Sequence, residues 1–141
     1  KQKRQARIVT LQAIYARELQ GSELDDTCDF MMDADKPPSN DVIKYGKQLS
    51  NLIFMHSKEL DKLISSRSKN WDFERITLVD KLILRMALVE MIYVDDVPPK
   101  VSIAEGVEIA KQFSTEDSSG FINGILDSVY NETIKGKEKT L

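Results

Sequence analysis

Apolar side chains recur at helical spacing along almost the whole chain. Ile8, Leu11, Tyr15 and Leu19 share one helical face and the run stops at Gly21, which predicts a first helix over residues 3–20. Pro37-Pro38 and the candidate caps Ser39, Asn40 and Asp41 precede a second, longer stripe running from Val42 through Leu49, Ile53, His56 and Leu60 to Ile64. Residues 65–76 read as a connector whose Trp71 and Phe73 plug a gap between helices. Thr77 with Asp80 makes a weak capping box that opens LVDKLILRMALVEMIY, apolar around most of its circumference. Such a helix belongs at the centre of a bundle, with Asp80, Lys81, Arg85 and Glu90 forming a narrow strip that still reaches water. After DDVPPK, Ser102 and Glu105 form an S-x-x-E box for a helix carrying Ile103, Val107, Ala110 and Phe113. Ser114 or Thr115 then caps a last helix built on Phe121, Ile122, Ile125, Leu126, Val129 and Tyr130, and residues 131–141 are expected to fray. No period-two strand pattern survives, so the expected fold is all-α, with antiparallel neighbours in one or two small bundles.

Composition adds exclusions. A chain of 141 residues with 41% hydrophobic and 30% charged residues suits one soluble domain over 1–141. No apolar run approaches the roughly 20 residues of a membrane span, and KQKRQAR leads into an amphipathic pattern without a signal-peptide core. A cytoplasmic location is therefore expected. One cysteine and one histidine cannot make a disulfide, a thiolate zinc site or a two-histidine metal site within one chain. The glycines offer neither GxGxxG nor GxxxxGK[ST], so no cofactor is expected. His56 sits on an apolar stripe and reads as a core-boundary residue, and Cys28 in its acidic surroundings reads as filler. The run from Asp33 to Lys44 puts proline where a calcium loop needs glycine and lysine where it needs glutamate.

The net charge of -3 is unevenly spread. Lys1, Lys3, Arg4, Arg7 and Arg17 open the chain with no acid among them, whereas Glu18 to Asp41 carries eight acids against Lys36 alone. Cations at a helix N-terminus oppose the macrodipole at about 0.3–1 kcal/mol each, so helix stability alone would not place them there. A polyanion partner would, with Lys3, Arg4 and Arg7 gripping successive phosphates and Tyr15, two turns on, offering a stacking surface.

At VDKLILR, DDVPPKVSIAEGVEIAK and FSTEDSSGFINGILD the chain resembles the bacterial transcription antitermination factor NusB family, with VTLQAIYARELQ matching the family's first helix. The most specific stretch is DVPPKVSIAEGVEIAKQF followed by EDSSGFINGILD, where two capped helices and their turn match in order and spacing. The resemblance implies two three-helix bundles packed across each other and no catalytic activity. It implies binding to the single-stranded boxA element of nascent ribosomal RNA leaders, jointly with the small-subunit ribosomal protein that doubles as NusE. It further implies loading onto RNA polymerase with other Nus factors. Carried over by position, the resemblance marks Lys3, Arg4 and Arg7 as phosphate contacts, Tyr15 as the aromatic beside them, Asp117 as a base-edge contact and Phe121 as a stacking residue. Asp80 and Arg85, on the expected exposed strip of the central helix, would join the same surface.

Two departures stand out. Ser119-Gly120 replaces a His-Lys pair common among relatives and removes a positive charge from the RNA edge. Pro99 stands where many have an aromatic after the proline of DVP and alters the local partner surface. Two other readings compete: a NusB-like RNA-binding domain of the kind fused to ribosomal RNA cytosine methyltransferases, and a helical protein-interaction adaptor that never touches nucleic acid. The salt dependence of RNA binding separates the adaptor from the others.

Overall fold

The computed structural model describes residues 2–20, 38–68 and 72–134. Gly21, Cys28, Trp71, the acids between residues 21 and 37 and the residues after 134 lie outside the described residues. All regular structure among the described residues is helical: α1 (Gln2–Gln20), α2 (Asn40–Arg67), a 3-10 turn (Phe73–Arg75), α3 (Leu78–Tyr93), α4 (Pro99–Phe113), α5 (Glu116–Val129) and a π-helical turn (Tyr130–Ile134). The all-α expectation holds. The chain divides into two compact units, residues 1–52 and 53–141, with the boundary inside α2.

In the first unit α1 buries Ala6, Leu11, Ala13 and Ile14, and the start of α2 buries Val42 and Leu49. Ser39 acts as the cap of α2, its Oγ accepting from the Val42 amide at 3.3 Å. The two helices approach closely at Gly46. The Thr10 hydroxyl donates to the Gly46 carbonyl at 3.3 Å, and Ser50 donates to the same oxygen at 2.8 Å. A Cβ at this position would stand 3.1 Å from Thr10 Oγ1, so a residue without a side chain permits the approach.

The second unit is organised around α3, whose Leu82, Ile83, Leu84, Leu88, Val89 and Met91 are at most 2% exposed. Burial of each such side chain contributes roughly 1.5–3 kcal/mol before chain entropy is set against it. α4 and α5 pack against α3 and each other. Gly106 stands at their closest approach, since a Cβ there would lie 3.3 Å from both Ala87 Cβ and Leu126 Cδ1.

Three expectations need correction. The polar strip of α3 does not reach water along its length, because Asp80 is 5% and Glu90 1% exposed. The Ser102–Glu105 box is not used, because α4 begins at Pro99, whose fixed φ and missing N–H suit the first helical position. The Pro98 carbonyl accepts from the amides of Val101 and Ser102 at 2.9 and 3.3 Å, and Ser102 is buried one turn inside the helix. The chain also stays helical from Asn131 to Ile134 instead of fraying there. Tyr130 is buried, Thr133 Oγ1 donates to the Val129 carbonyl at 2.6 Å, and Arg67 pairs with Glu132. Within the connector, Phe73 is half-buried with the Lys81 ammonium 4.3 Å from its ring centroid.

Candidate functional site

The N-terminal ends of α3 and α5 meet at a cleft of about 220 Å³ lined by Arg75, Ile76, Thr77, Asp80, Thr115, Asp117, Ser118 and Phe121. Both helices are capped where they enter it. Thr77 Oγ1 accepts from the Asp80 amide at 3.3 Å, and Thr115 Oγ1 accepts from the Ser118 amide at 3.1 Å. Of the two caps the sequence allowed for α5, the structure uses Thr115 and turns Ser114 towards α3.

Asp80 ties the helix ends together. The hydroxyls of Ser114 and Ser118 each donate to it at 2.8 Å, one to Oδ1 and one to Oδ2. Each serine has a single hydroxyl proton, so the 2.9 Å approach of their two oxygens follows from both gripping one carboxylate. The Thr115 hydroxyl, 3.0 Å from Ser118 Oγ, then donates to that oxygen. The sequence offered Ser114 and Thr115 only as alternative caps, and Ser118 was missed. Arg75 was also missed; its one sequence signal is a cation two residues ahead of the Thr77 cap.

The cleft combines different chemistries. Phe121 is half-buried and presents an aromatic surface, Ile76 is buried, and Asp117 is exposed at its edge. Arg75 is also exposed, with Nε no closer than 3.9 Å to the Asp72 carboxylate. The volume lies below the roughly 300–1,000 Å³ of drug-sized pockets and has room for a group about the size of one planar ring. No group of three or more His, Cys, Asp or Glu side chains among the described residues is placed to hold a metal ion.

The structure brings Asp80, Asp117 and Phe121 together here but alters the expected role of Asp80, which is buried with both oxygens occupied. Arg85 is half-buried and engaged by Asp61: its Nε and Nη2 grip the two carboxylate oxygens at 2.6 and 2.9 Å in a fork-to-fork pair. On α1, in the other unit, Arg4 is exposed and Tyr15 is 36% exposed. Lys3 is half-buried with its ammonium 5.3 Å from the Tyr45 ring centroid. Arg7 is 4% exposed, contrary to the expected surface position. It lies three, four and seven residues before Thr10, Leu11 and Ile14, which places it on the buried face of its own helix.

A second cluster lies elsewhere on the second unit. The half-buried His56 ring stacks on Tyr93 with centroids 4.0 Å apart and planes at 11°. His56 Nδ1 is 3.4 Å from Glu59 Oε2, outside hydrogen-bond alignment, while the Tyr93 hydroxyl donates to that same oxygen at 3.2 Å. Burial first, and then the hydrogen bond and charge of Glu59, hold the Tyr93 phenol above its ordinary pKa.

A family model described as the NusB family matches residues 4–131. The transcription antitermination protein NusB of Chloroherpeton thalassium is 38% identical over 135 residues, covering 96% of this chain and 64% of that protein. The chain thus spans somewhat less than two thirds of that relative's length. Among solved structures, T. maritima NusB superposes with a TM-score of 0.85 at 28% identity, covering 96% of this chain and 94% of that one. A structure of antitermination factors NusB and NusE in complex with dsRNA contains a chain matched with a TM-score of 0.81 at 22% identity, covering 92% of this chain and 96% of that one. With its helices in the expected order and the family model spanning nearly all the described residues, this chain belongs to the NusB family.

Proposed function

We propose that the chain is a non-catalytic transcription antitermination factor that binds boxA RNA of nascent ribosomal RNA leaders together with NusE and is carried to RNA polymerase with other Nus factors. Family membership supports this reading, as does the fold shared with a chain of the NusB–NusE–dsRNA complex. The observation that carries it is the cleft at the N-terminal ends of α3 and α5. Phe121 supplies a stacking face there and Asp117 an acceptor, which is the pairing a splayed single-stranded base requires. A carboxylate beside phosphates costs affinity by repulsion, so its use is discrimination: it accepts from a base amino or imino group and penalises bases that lack one. Arg75 at the rim is placed to take an adjoining phosphate. On α1, Lys3, Arg4 and Tyr15 remain RNA contacts in this reading, whereas Arg7 and Arg85 serve the fold.

The chemistry is recognition and tethering, with phosphate contacts setting affinity and base contacts setting choice. The test is Asp117→Asn, measured as affinity for boxA-like and base-substituted RNA at one salt concentration, with thermal unfolding in parallel. The expected result is a shifted ratio of the two affinities, while general affinity holds or rises because a negative charge is gone. An unchanged ratio, with stability lower by a few tenths of a kcal/mol, would leave Asp117 as a residue that complements the α5 dipole and nothing more.

A further inference from the structure

We propose that Asp80 is a positioning residue for RNA discrimination: it holds the first turn of α5 in register so that Asp117 and Phe121 face the cleft. The inference rests on the reading of the cleft given above and adds to it a residue that acts through others. Asp80 is 5% exposed, so it is a poor candidate for touching RNA itself. Its two oxygens accept from Ser114 and Ser118, which bracket the Thr115 cap, and its own amide donates to the Thr77 cap of α3. One side chain therefore fixes the start of α5 to the start of α3 across 34 and 38 residues of sequence. Asp117 immediately precedes Ser118, and Phe121 lies three residues after it, on the same turn of helix. A shift of that turn moves both functional groups together.

The arrangement is also well suited to rigidity. A carboxylate accepting two hydroxyl bonds in a buried setting makes charge-assisted contacts that are stronger than neutral ones, and losing either partner leaves a buried acceptor short. Geometric precision of this kind matters more for base discrimination than for phosphate attraction, which tolerates displacement of the charges involved.

The experiment compares the wild type with Asp80→Asn and with the double variant Ser114→Ala/Ser118→Ala, which keeps the carboxylate and removes its donors. Two quantities are read: amide hydrogen exchange in residues 116–121 against the rest of α5, and the affinity ratio for boxA-like over base-substituted RNA. The proposal expects exchange in the first turn of α5 to rise at least several-fold while residues 125–129 are unchanged. It expects the affinity ratio to fall towards that of Asp117→Asn, with the salt dependence of binding unaltered. Combining Asp80→Asn with Asp117→Asn should lose no more discrimination than Asp117→Asn alone, because the discrimination that Asp80 supports runs through Asp117, while stacking on Phe121 tolerates any base. Unchanged exchange in the first turn overturns the proposal whatever RNA does. Loosened exchange with a retained ratio overturns the positioning role and leaves the cleft reading intact. A wild type that shows no discrimination at all overturns the cleft reading, and the positioning role with it. Should Asp80→Asn fail to fold, the serine double variant reads the same outcomes.

Discussion

At Arg4 and Arg7, two residues with the same charge in one basic run take different environments. Arg4 points to solvent, while Arg7 shares the face of Thr10, Leu11 and Ile14 and is buried. Arg4→Ala should therefore weaken RNA binding across sequences and make the salt slope shallower by up to about one unit, leaving melting nearly unchanged. Arg7→Ala should lower stability by about 1–3 kcal/mol, through lost packing of its stem and the groups left behind. Salt-dependent titrations and thermal melts of both variants check the contrast. Tyr93 gives a pH prediction. Its phenol titrates higher in the folded protein than in the unfolded chain, so the folded state holds its proton more tightly. The resulting stability is fully present below the ordinary tyrosine pKa and is lost as pH rises through the raised one. Denaturant melts from neutral to alkaline pH should show this decline, and Tyr93→Phe should flatten it; an identical decline in the variant would contradict the assignment to Tyr93.

Among the elements, the helices were legible because their stripes are long, and the caps Ser39, Thr77 and Thr115 stand where capping preferences put them. What local pattern could not show is a side chain satisfied by distant residues. Asp80 on an apolar helix reads as exposed unless its partners on α5 are known, and Arg85 reads as free unless Asp61, 24 residues earlier, is known to face it. The S-x-x-E box of α4 was a stronger motif than the proline beside it, yet Pro99 started the helix a turn earlier. Asp117 and Phe121 were legible only through resemblance, since a carboxylate and a phenylalanine on a helix have ordinary structural uses. Glycines give the packing test at this scale. Gly106→Val should destabilise by roughly 1–3 kcal/mol, because its methyls have no room between Ala87 and Leu126. Gly124→Ala meets nothing within 4 Å and should stabilise α5 by roughly 0.5–1 kcal/mol. Opposite shifts in Tm check the pair, and a tolerated valine at 106 would contradict the close approach of α3, α4 and α5.

The whole molecule carries its expected RNA contacts on two compact units, the basic start on residues 1–52 and the cleft on residues 53–141. Its overall acidity of -3 does not oppose this, because the relevant field is local. Ser119 and Gly120 add no charge beside the cleft, so affinity for RNA alone is expected to be modest and a partner correspondingly important. No helix among the described residues is long and apolar enough to cross a membrane. If the chain works jointly with NusE, linkage requires each ligand to enhance the other's binding by the same factor. The measurement that tests this most directly is the affinity for a labelled single-stranded boxA-like RNA, at fixed salt, with and without saturating NusE. The proposed function predicts tighter RNA binding when NusE is present, and an equal enhancement of NusE binding by RNA; the same RNA affinity with and without saturating NusE would contradict it.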